Sequence, residues 1–318
     1  MTKVLITDCD HPSVDIERAV FGAAGFEVTL AHCRTEDEVA EAGRGAQALL
    51  VQYAPVTRRV LEALPECRAV GRYGVGLDTI DVPAALERGI ALISVPDYSV
   101  AEVSDHALAL VLALTRGVVQ LDRDVHRGGW NFTAAGELRR SSAMQLGVVG
   151  IGRIGRALAD KARAVGFQVV AHDPYVVEAG GYELVSFAEL LSSCHIVSLH
   201  APLAPETRHL LDAGAIARMR PGAYVVNTSR GGLIDQAALV AALQAGQLAG
   251  AALDSLEREP LTPDDPLLSL PNVIVTPHTA FYSRESIAEL KRRAAEGIVE
   301  ALARPPLAEA ASGAKGPS

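Results

Sequence analysis

Three polar residues each follow a short β-like run in the second half of the chain. Arg230 comes after AYVVNTS, Glu259 lies in the loop SLEREP, and His278 comes after NVIVTP. An imidazole can carry a proton near neutral pH. A carboxylate beside it would fix its tautomer and raise its pKa, favouring a protonated acid for reduction of a ketone. A guanidinium can grip a carboxylate through paired hydrogen bonds and polarise the neighbouring carbonyl. Residues at the carboxyl ends of parallel strands converge on the crevice where such sheets bind ligands. Singly, each has an ordinary alternative: Arg230 in a surface ion pair, Glu259 capping the turn after Pro260, and His278 as a structural histidine.

A second motif gives the three a context. The stretch LGVVGIGRIGRALADKARAVGFQVVAHDPY begins at Leu146. Val148 and Val149 read as the end of a buried strand. Gly150 permits a tight turn, Gly152 lets backbone approach a pyrophosphate, and Gly155 allows close packing of helix on strand. The helix N-terminus that follows offers free N–H groups to phosphates. The next strand ends in Asp173, about 20 residues on, where an acid binds ribose hydroxyls and repels a 2′-phosphate. That favours NAD over NADP, although His172 and Arg153 lie nearby. The alternative is a Gly-rich turn in a generic sheet, with Asp173 only capping. Beside such a loop, Arg230, Glu259 and His278 read as a hydride-transfer site.

These residues need a frame, and the chain supplies one. Apolar runs such as KVLIT, ALLVQ, AVGRYGVG, ALISVP, QVVAHD, IVSLHAP, AYVVNTS, GAALDSL and NVIVTPH alternate with helical patterns, among them 13–24, 154–165 and 236–245. Such alternation predicts the doubly wound α/β class, with parallel sheets and crossover helices. Long helices are expected at 98–116 and 283–302, and a disordered Pro/Ala/Gly tail after about residue 304. The glycine loop thus sits in a block of roughly 180 residues, a length that suits one domain. That block interrupts an N-terminal α/β unit and its returning C-terminal helix.

The 318 residues suffice for two domains, and the formal net charge of -9 speaks against nucleic acid as the main partner. Cys9, Cys33, Cys67 and Cys194 form no CxxC pair, which fits reduced thiols in the cytoplasm and no zinc site. MTKVLITD runs straight into a strand, leaving no signal peptide, and the longest apolar run, 107–114, is far short of a membrane span.

In order and spacing, RYGVGLDTIDV, PDYSVAEVSDHALAL, GVVGIGRIGR, HAPL, VVNTSRGGLID, AALDSLEREPL and TPHTAFYS resemble the D-isomer-specific 2-hydroxyacid dehydrogenases. That family includes D-3-phosphoglycerate dehydrogenase and the C-terminal binding protein corepressors. SDHALAL and PHTAFYS look closest to bacterial proteins of the corepressor branch. The resemblance runs from KVLITD to the helix ending near Leu302.

The resemblance implies a Rossmann cofactor domain, 101–283, inserted into a flavodoxin-like substrate domain formed by 1–100 and 284–318, with hinge closure between them. It makes Arg230 the substrate-binding arginine, His278 the acid/base and Glu259 its carboxylate partner. Arg153 and Ile154 match residues that meet the pyrophosphate, alongside Gly150, Gly152 and Gly155, and Asp173 matches the ribose acid. Ser104 falls where the family often has a hydroxyl near the cofactor. Ala201, Thr228 and Asp254 match positions lining the nicotinamide and its ribose. Val75 and Gly76 match the turn whose N–H groups hold the substrate carboxylate, and a glycine-flanked loop does expose its donors as an anion nest. The segment 123–140 matches a homodimer arm, with Trp130 explained equally by local packing. Phe281 stands where the branch commonly carries Trp, which alters the pocket but not the catalytic set.

The implied function is an NAD-dependent exchange between a small 2-oxo acid and a D-2-hydroxy acid. Two alternatives accompany it. One is an NAD(H)-responsive binding protein like the corepressors. The other is a substrate with a phosphate or phosphonate tail, met by Arg72, Arg139 or Arg140.

Overall fold

The computed structural model describes residues 1–304, so the expected tail lies outside the described residues. The chain divides into two compact units, one built from Met1–Tyr98 and the chain from Ser283 on, the other from Ser99–Tyr282.

The first unit opens with β1 (Lys3–Ile6), α1 (Asp15–Ala23), β2 (Glu27–Leu30), α2 (Glu36–Ala42) and β3 (Ala48–Val51). It continues with α3 (Arg58–Ala63), β4 (Ala69–Arg72), α4 (Val82–Glu87) and β5 (Ala91–Ile93). All five strands run parallel in the order β2-β1-β3-β4-β5. This is the flavodoxin-like order, and its direction reverses between β1 and β3. At that reversal the buried Asp8 accepts N–H bonds from Gln52 at 3.1 Å and Tyr53 at 2.7 Å, tying the loops after β1 and β3 together. Thr35 and Glu38 form a capping box on α2, and Asp81 caps α4. The C-terminal helix (Arg284–Ala303) lies on this sheet, with Ile298 against Gly71 of β4.

The second unit begins with α5 (Val100–Thr115) and α6 (Val118–His126), then β6 (Gln145–Val149), α7 (Arg153–Ala164), β7 (Gln168–His172) and β8 (Glu183–Leu184). It goes on through α8 (Phe187–Ser193), β9 (Ile196–Leu199), α9 (Ala213–Arg218), β10 (Ala223–Asn227), α10 (Gln236–Gln244), β11 (Leu248–Leu253) and β12 (Val273–Val275). The seven parallel strands stand in the order β12-β11-β10-β9-β6-β7-β8. From β6 the chain winds outward to β8, then returns to start again at β9. The switch point therefore lies between the ends of β6 and β9, where a doubly wound sheet leaves its crevice. Apolar cores fill both faces. Leu146, Val148 and Val226 turn to α5 and α7, while Val149, Val197 and Val225 face α8 to α10.

The segment 123–140, which the resemblance matches to a homodimer arm, contains the end of α6 and a short 3-10 turn at Phe132–Ala135. Trp130 is 91% exposed and Phe132 85%, so Trp130 is not packed locally within the described chain. Among the described residues no helix is long and apolar enough to cross a membrane, and all four cysteines are free.

Candidate active site

The glycines of the loop after β6 each do something different. Gly150 has φ +90°, and a Cβ there would stand 2.7 Å from both the Ala201 nitrogen and the His200 carbonyl carbon. Only glycine lets the β6 turn lie this close to the end of β9. At Gly155 a Cβ would fall on the Gly150 carbonyl oxygen, so α7 can pack on the turn only without a side chain. Gly152, the N-cap of α7, has nothing within 4 Å of its Cβ position. That open face lies where the first N–H groups of α7, at Arg153 and Ile154, cannot be satisfied within the helix.

Asp173, directly after β7, is half-buried. Its Oδ2 accepts the Ile151 N–H at 3.1 Å and its Oδ1 the Tyr175 N–H at 3.0 Å. Both oxygens keep lone pairs for further donors. Thr228, after β10, has a buried hydroxyl with no hydrogen-bond partner among the described residues. A buried polar group left this way points to a partner that the protein itself does not supply. The open cradle at Gly152 and this orphaned hydroxyl fit a dinucleotide lying across the strand ends.

The three polar residues belong to one cluster. The His278 Nδ1 lies 2.8 Å from Glu259 Oε2, while Glu259 Oε1 accepts the Leu256 N–H at 2.8 Å. Burial alone would push the Glu259 carboxyl up. The His278 hydrogen bond, the Leu256 N–H and the charges of His278 and Arg230 outweigh it and hold the group below its ordinary range. Arg230 is therefore close enough for its charge to reach Glu259. Its own Nη1 donates to the Ser229 carbonyl at 3.0 Å, and Asn227 Nδ2 holds the Arg230 carbonyl at 2.9 Å. His278 sits at φ 50°, a conformation rare outside glycine. Its N–H donates to the Asp254 and Thr276 carbonyls, both at 2.9 Å.

Asp254 anchors that loop from below. It is 1% exposed, and its Oδ1 accepts Thr276 Oγ1 at 2.6 Å and the Thr279 N–H at 2.9 Å. Its Oδ2 accepts the Ala280 N–H at 3.0 Å. His106 of α5 joins in, with Nε2 3.0 Å from Thr276 Oγ1. Neither His106 nor Thr276 stands out by residue type or spacing, although Thr276 lies only two residues before His278. Ala201 accepts the Ser229 hydroxyl at 2.7 Å, linking the β9 end to the turn before Arg230.

Ser104 bonds within the second unit. Its residue is fully buried, its hydroxyl bonds the Val100 carbonyl at 2.7 Å, and it accepts Lys161 Nζ at 2.6 Å. In that position it helps to pack α5 on α7. His200 of the HAPL motif is also spoken for. Burial lowers its pKa to about 4, and Nε2 lies 2.8 Å from Ser198 Oγ.

Val75 and Gly76 lie in the first unit, in the loop after β4. No partner is taken by either N–H among the described residues, and Val75 is exposed. Tyr73, which leads into the loop, donates its hydroxyl to the buried Glu17 at 2.5 Å. The Arg72 guanidinium fills the space that a side chain at Gly74 would take.

Residues 108–280 match the NAD binding domain of the D-isomer specific 2-hydroxyacid dehydrogenases. The chain belongs to this family. As a D-isomer specific 2-hydroxyacid dehydrogenase family member, it carries the NAD-binding domain in its second unit. It is 38% identical over 283 residues to D-3-phosphoglycerate dehydrogenase of Archaeoglobus fulgidus, covering 86% of this chain and 53% of that one. It is 38% identical over 310 residues to (S)-sulfolactate dehydrogenase of Chromohalobacter salexigens, covering 95% and 99%. Among solved structures, D-lactate dehydrogenase from Aquifex aeolicus complexed with NAD and lactic acid superposes with a TM-score of 0.86 at 28% identity, covering 99% and 100%. The chain spans only about half the length of the D-3-phosphoglycerate dehydrogenases it matches, between 48% and 58%.

Proposed function

We propose that the protein is an NAD-dependent dehydrogenase interconverting a small 2-oxo acid and a D-2-hydroxy acid. The observation that carries this reading is the 2.8 Å His278–Glu259 hydrogen bond, with the charge of Arg230 reaching the same carboxylate. When bound, the nicotinamide supplies or accepts the hydride at substrate C2. His278 does the proton work: with Nδ1 engaged by Glu259, Nε2 is the atom that gives or takes the hydroxyl proton. Glu259, ionised at neutral pH, fixes the ring and stabilises its protonated form. Arg230 binds the substrate carboxylate and polarises the adjacent carbonyl.

On the cofactor side, Gly150, Gly152, Arg153, Ile154 and Gly155 would hold the diphosphate. Asp173 would accept the ribose hydroxyls and disfavour NADP. Ala201, Thr228 and Asp254 would line the nicotinamide end. The exposed Trp130 and Phe132 support a homodimer formed through the 123–140 arm, and four free cysteines suit a cytoplasmic setting. Neither nucleic acid nor membrane is a partner in this reading.

A substrate with a second anionic group has a specific observation behind it. Arg72 packs against the Gly74 end of the carboxylate loop, and the similarity to a sulfolactate dehydrogenase extends over nearly all of both chains. The test is an NADH-oxidation screen over glyoxylate, hydroxypyruvate, pyruvate and phosphonopyruvate. Turnover supports the dehydrogenase. No turnover on any of the four, with dimerisation driven by NADH, replaces it with the corepressor-like reading.

A further inference from the structure

A second polar cluster lies beside the first, and the proposed reaction makes no use of it. His209 has φ 51°, a left-handed backbone that no glycine accounts for. In that conformation it makes two bonds to different segments. Its N–H donates to the Gly232 carbonyl at 2.8 Å, and its Nε2 lies 2.7 Å from Glu257 Oε1. Arg208 Nη2 reaches the same oxygen at 3.2 Å.

Gly232 and Glu257 sit on the two segments that matter. Gly232 belongs to the 3-10 turn that Arg230 caps, Gly231–Leu233. Glu257 follows Leu256, whose N–H holds Glu259. The two segments also touch directly. A Cβ at Gly231 would fall on the Leu256 carbonyl group and the Glu257 nitrogen, so the backbones meet with no side chain between them. Ser255 Oγ adds a bond to the Ser229 carbonyl at 3.0 Å. From His209, one path runs through Gly232 to Arg230. The other runs through Glu257, Leu256 and Glu259 to His278.

We propose that His209, with Arg208 and Glu257, is a positioning clamp that sets Arg230 against the Glu259–His278 pair without touching substrate. The proposal rests on the assignment of those three residues as the catalytic set. Its physical basis is that reacting groups must be held to within a fraction of an ångström, and side chains behind them do the holding. A left-handed non-glycine residue is strained, and here a backbone bond and a side-chain bond hold it in place.

His209→Asn tests the clamp, because Asn tolerates positive φ but is too short to reach Glu257. Glu257→Gln is the second variant, and it leaves the His209 backbone untouched. The substrate-free readout is the Nδ1–H resonance of His278 in histidine-labelled protein, alongside the thermal midpoint. The expected result is an unchanged midpoint with the resonance broadened or lost in both variants. Turnover of NADH with glyoxylate should fall about tenfold or more. Adding His209→Asn to Glu259→Gln should cost no further rate, since both break one path. A resonance as sharp as in wild type, or rate losses that simply add, would overturn the clamp. If Glu259→Gln retains full turnover, the catalytic assignment falls instead, and the resonance still decides whether His209 orders His278.

Discussion

The imidazole of His278 is held by Glu259, Nδ1 to Oε2 at 2.8 Å, on a loop whose backbone sits at φ 50°. Glu259 in turn is fixed by the Leu256 N–H, so the histidine inherits its position from a segment on another strand end. This pairing gives the ring a direction: Nδ1 is engaged by Glu259, which leaves Nε2 as the nitrogen for the proposed proton transfer.

The pairing has a pH signature. Glu259 is held below its ordinary carboxylate range despite its burial, by His278, the Leu256 N–H and Arg230. A lowered folded-state pKa gives stability that is full above the ordinary range and disappears as pH falls through the folded value. The thermal midpoint of wild type should therefore exceed that of Glu259→Gln at neutral pH. The gap should close below about pH 4, the reference region for glutamate. A gap that persists or widens in acid would show that the carboxylate is not what stabilises the loop.

Arg230→Lys keeps the charge but loses the planar fork. We expect a KM for 2-oxo acid raised about tenfold or more and a lower kcat, with NADH affinity unchanged, since one lost charged hydrogen bond costs about 1.5–3 kcal/mol. Steady-state kinetics with NADH titrated separately by fluorescence makes the separation. Wild-type KM in this variant would remove the guanidinium from the substrate.

The glycine loop allows a paired test. Gly152 has φ -70° and open space at its Cβ, so Gly152→Ala should fold normally yet bind NADH more weakly. Gly155→Ala drives a methyl into the Gly150 carbonyl and should lower stability by about 1–3 kcal/mol, as overpacking does. Thermal denaturation and NADH binding, measured on both, should give opposite patterns. Equal NADH affinity in Gly152→Ala and wild type would mean that the open face is not the diphosphate cradle.

The proposed preference for NAD rests on Asp173. Asp173→Ala removes the acceptor for ribose hydroxyls and the repulsion of a 2′-phosphate, leaving the Ile151 and Tyr175 N–H groups without their partner. The ratio of kcat/KM for NADH over NADPH should fall about tenfold or more, a change of about 1.4 kcal/mol. An unchanged ratio would place discrimination elsewhere.

Much of this was legible in the residues because local rules and global fold agree. Apolar runs at β6, β9, β10 and β11 are buried on both faces and read as parallel strands. The long helices expected at 98–116 and 283–302 are Val100–Thr115 and Arg284–Ala303. What escaped depends on contacts that periodicity does not report. Ser104 sits on the face of α5 turned to Lys161, which only the packing of α5 on α7 reveals. Trp130 could be packed or exposed by sequence alone. His106 and Thr276 meet across 170 positions. The left-handed turns at His209 and His278 carry no glycine to announce them. The alternative of Glu259 capping the turn after Pro260 does not appear, since its oxygens go to His278 and Leu256.

We propose that this chain reduces a 2-oxo acid to the D-2-hydroxy acid with His278 as the acid. The most direct measurement follows NADH oxidation with hydroxypyruvate and pyruvate, with chiral analysis of the product, for wild type and His278→Ala. We predict the D-enantiomer alone, and a kcat reduced about 10²–10⁴-fold in the variant while NADH binding is retained. An L-product, or a His278→Ala protein turning over at the wild-type rate, would contradict the account.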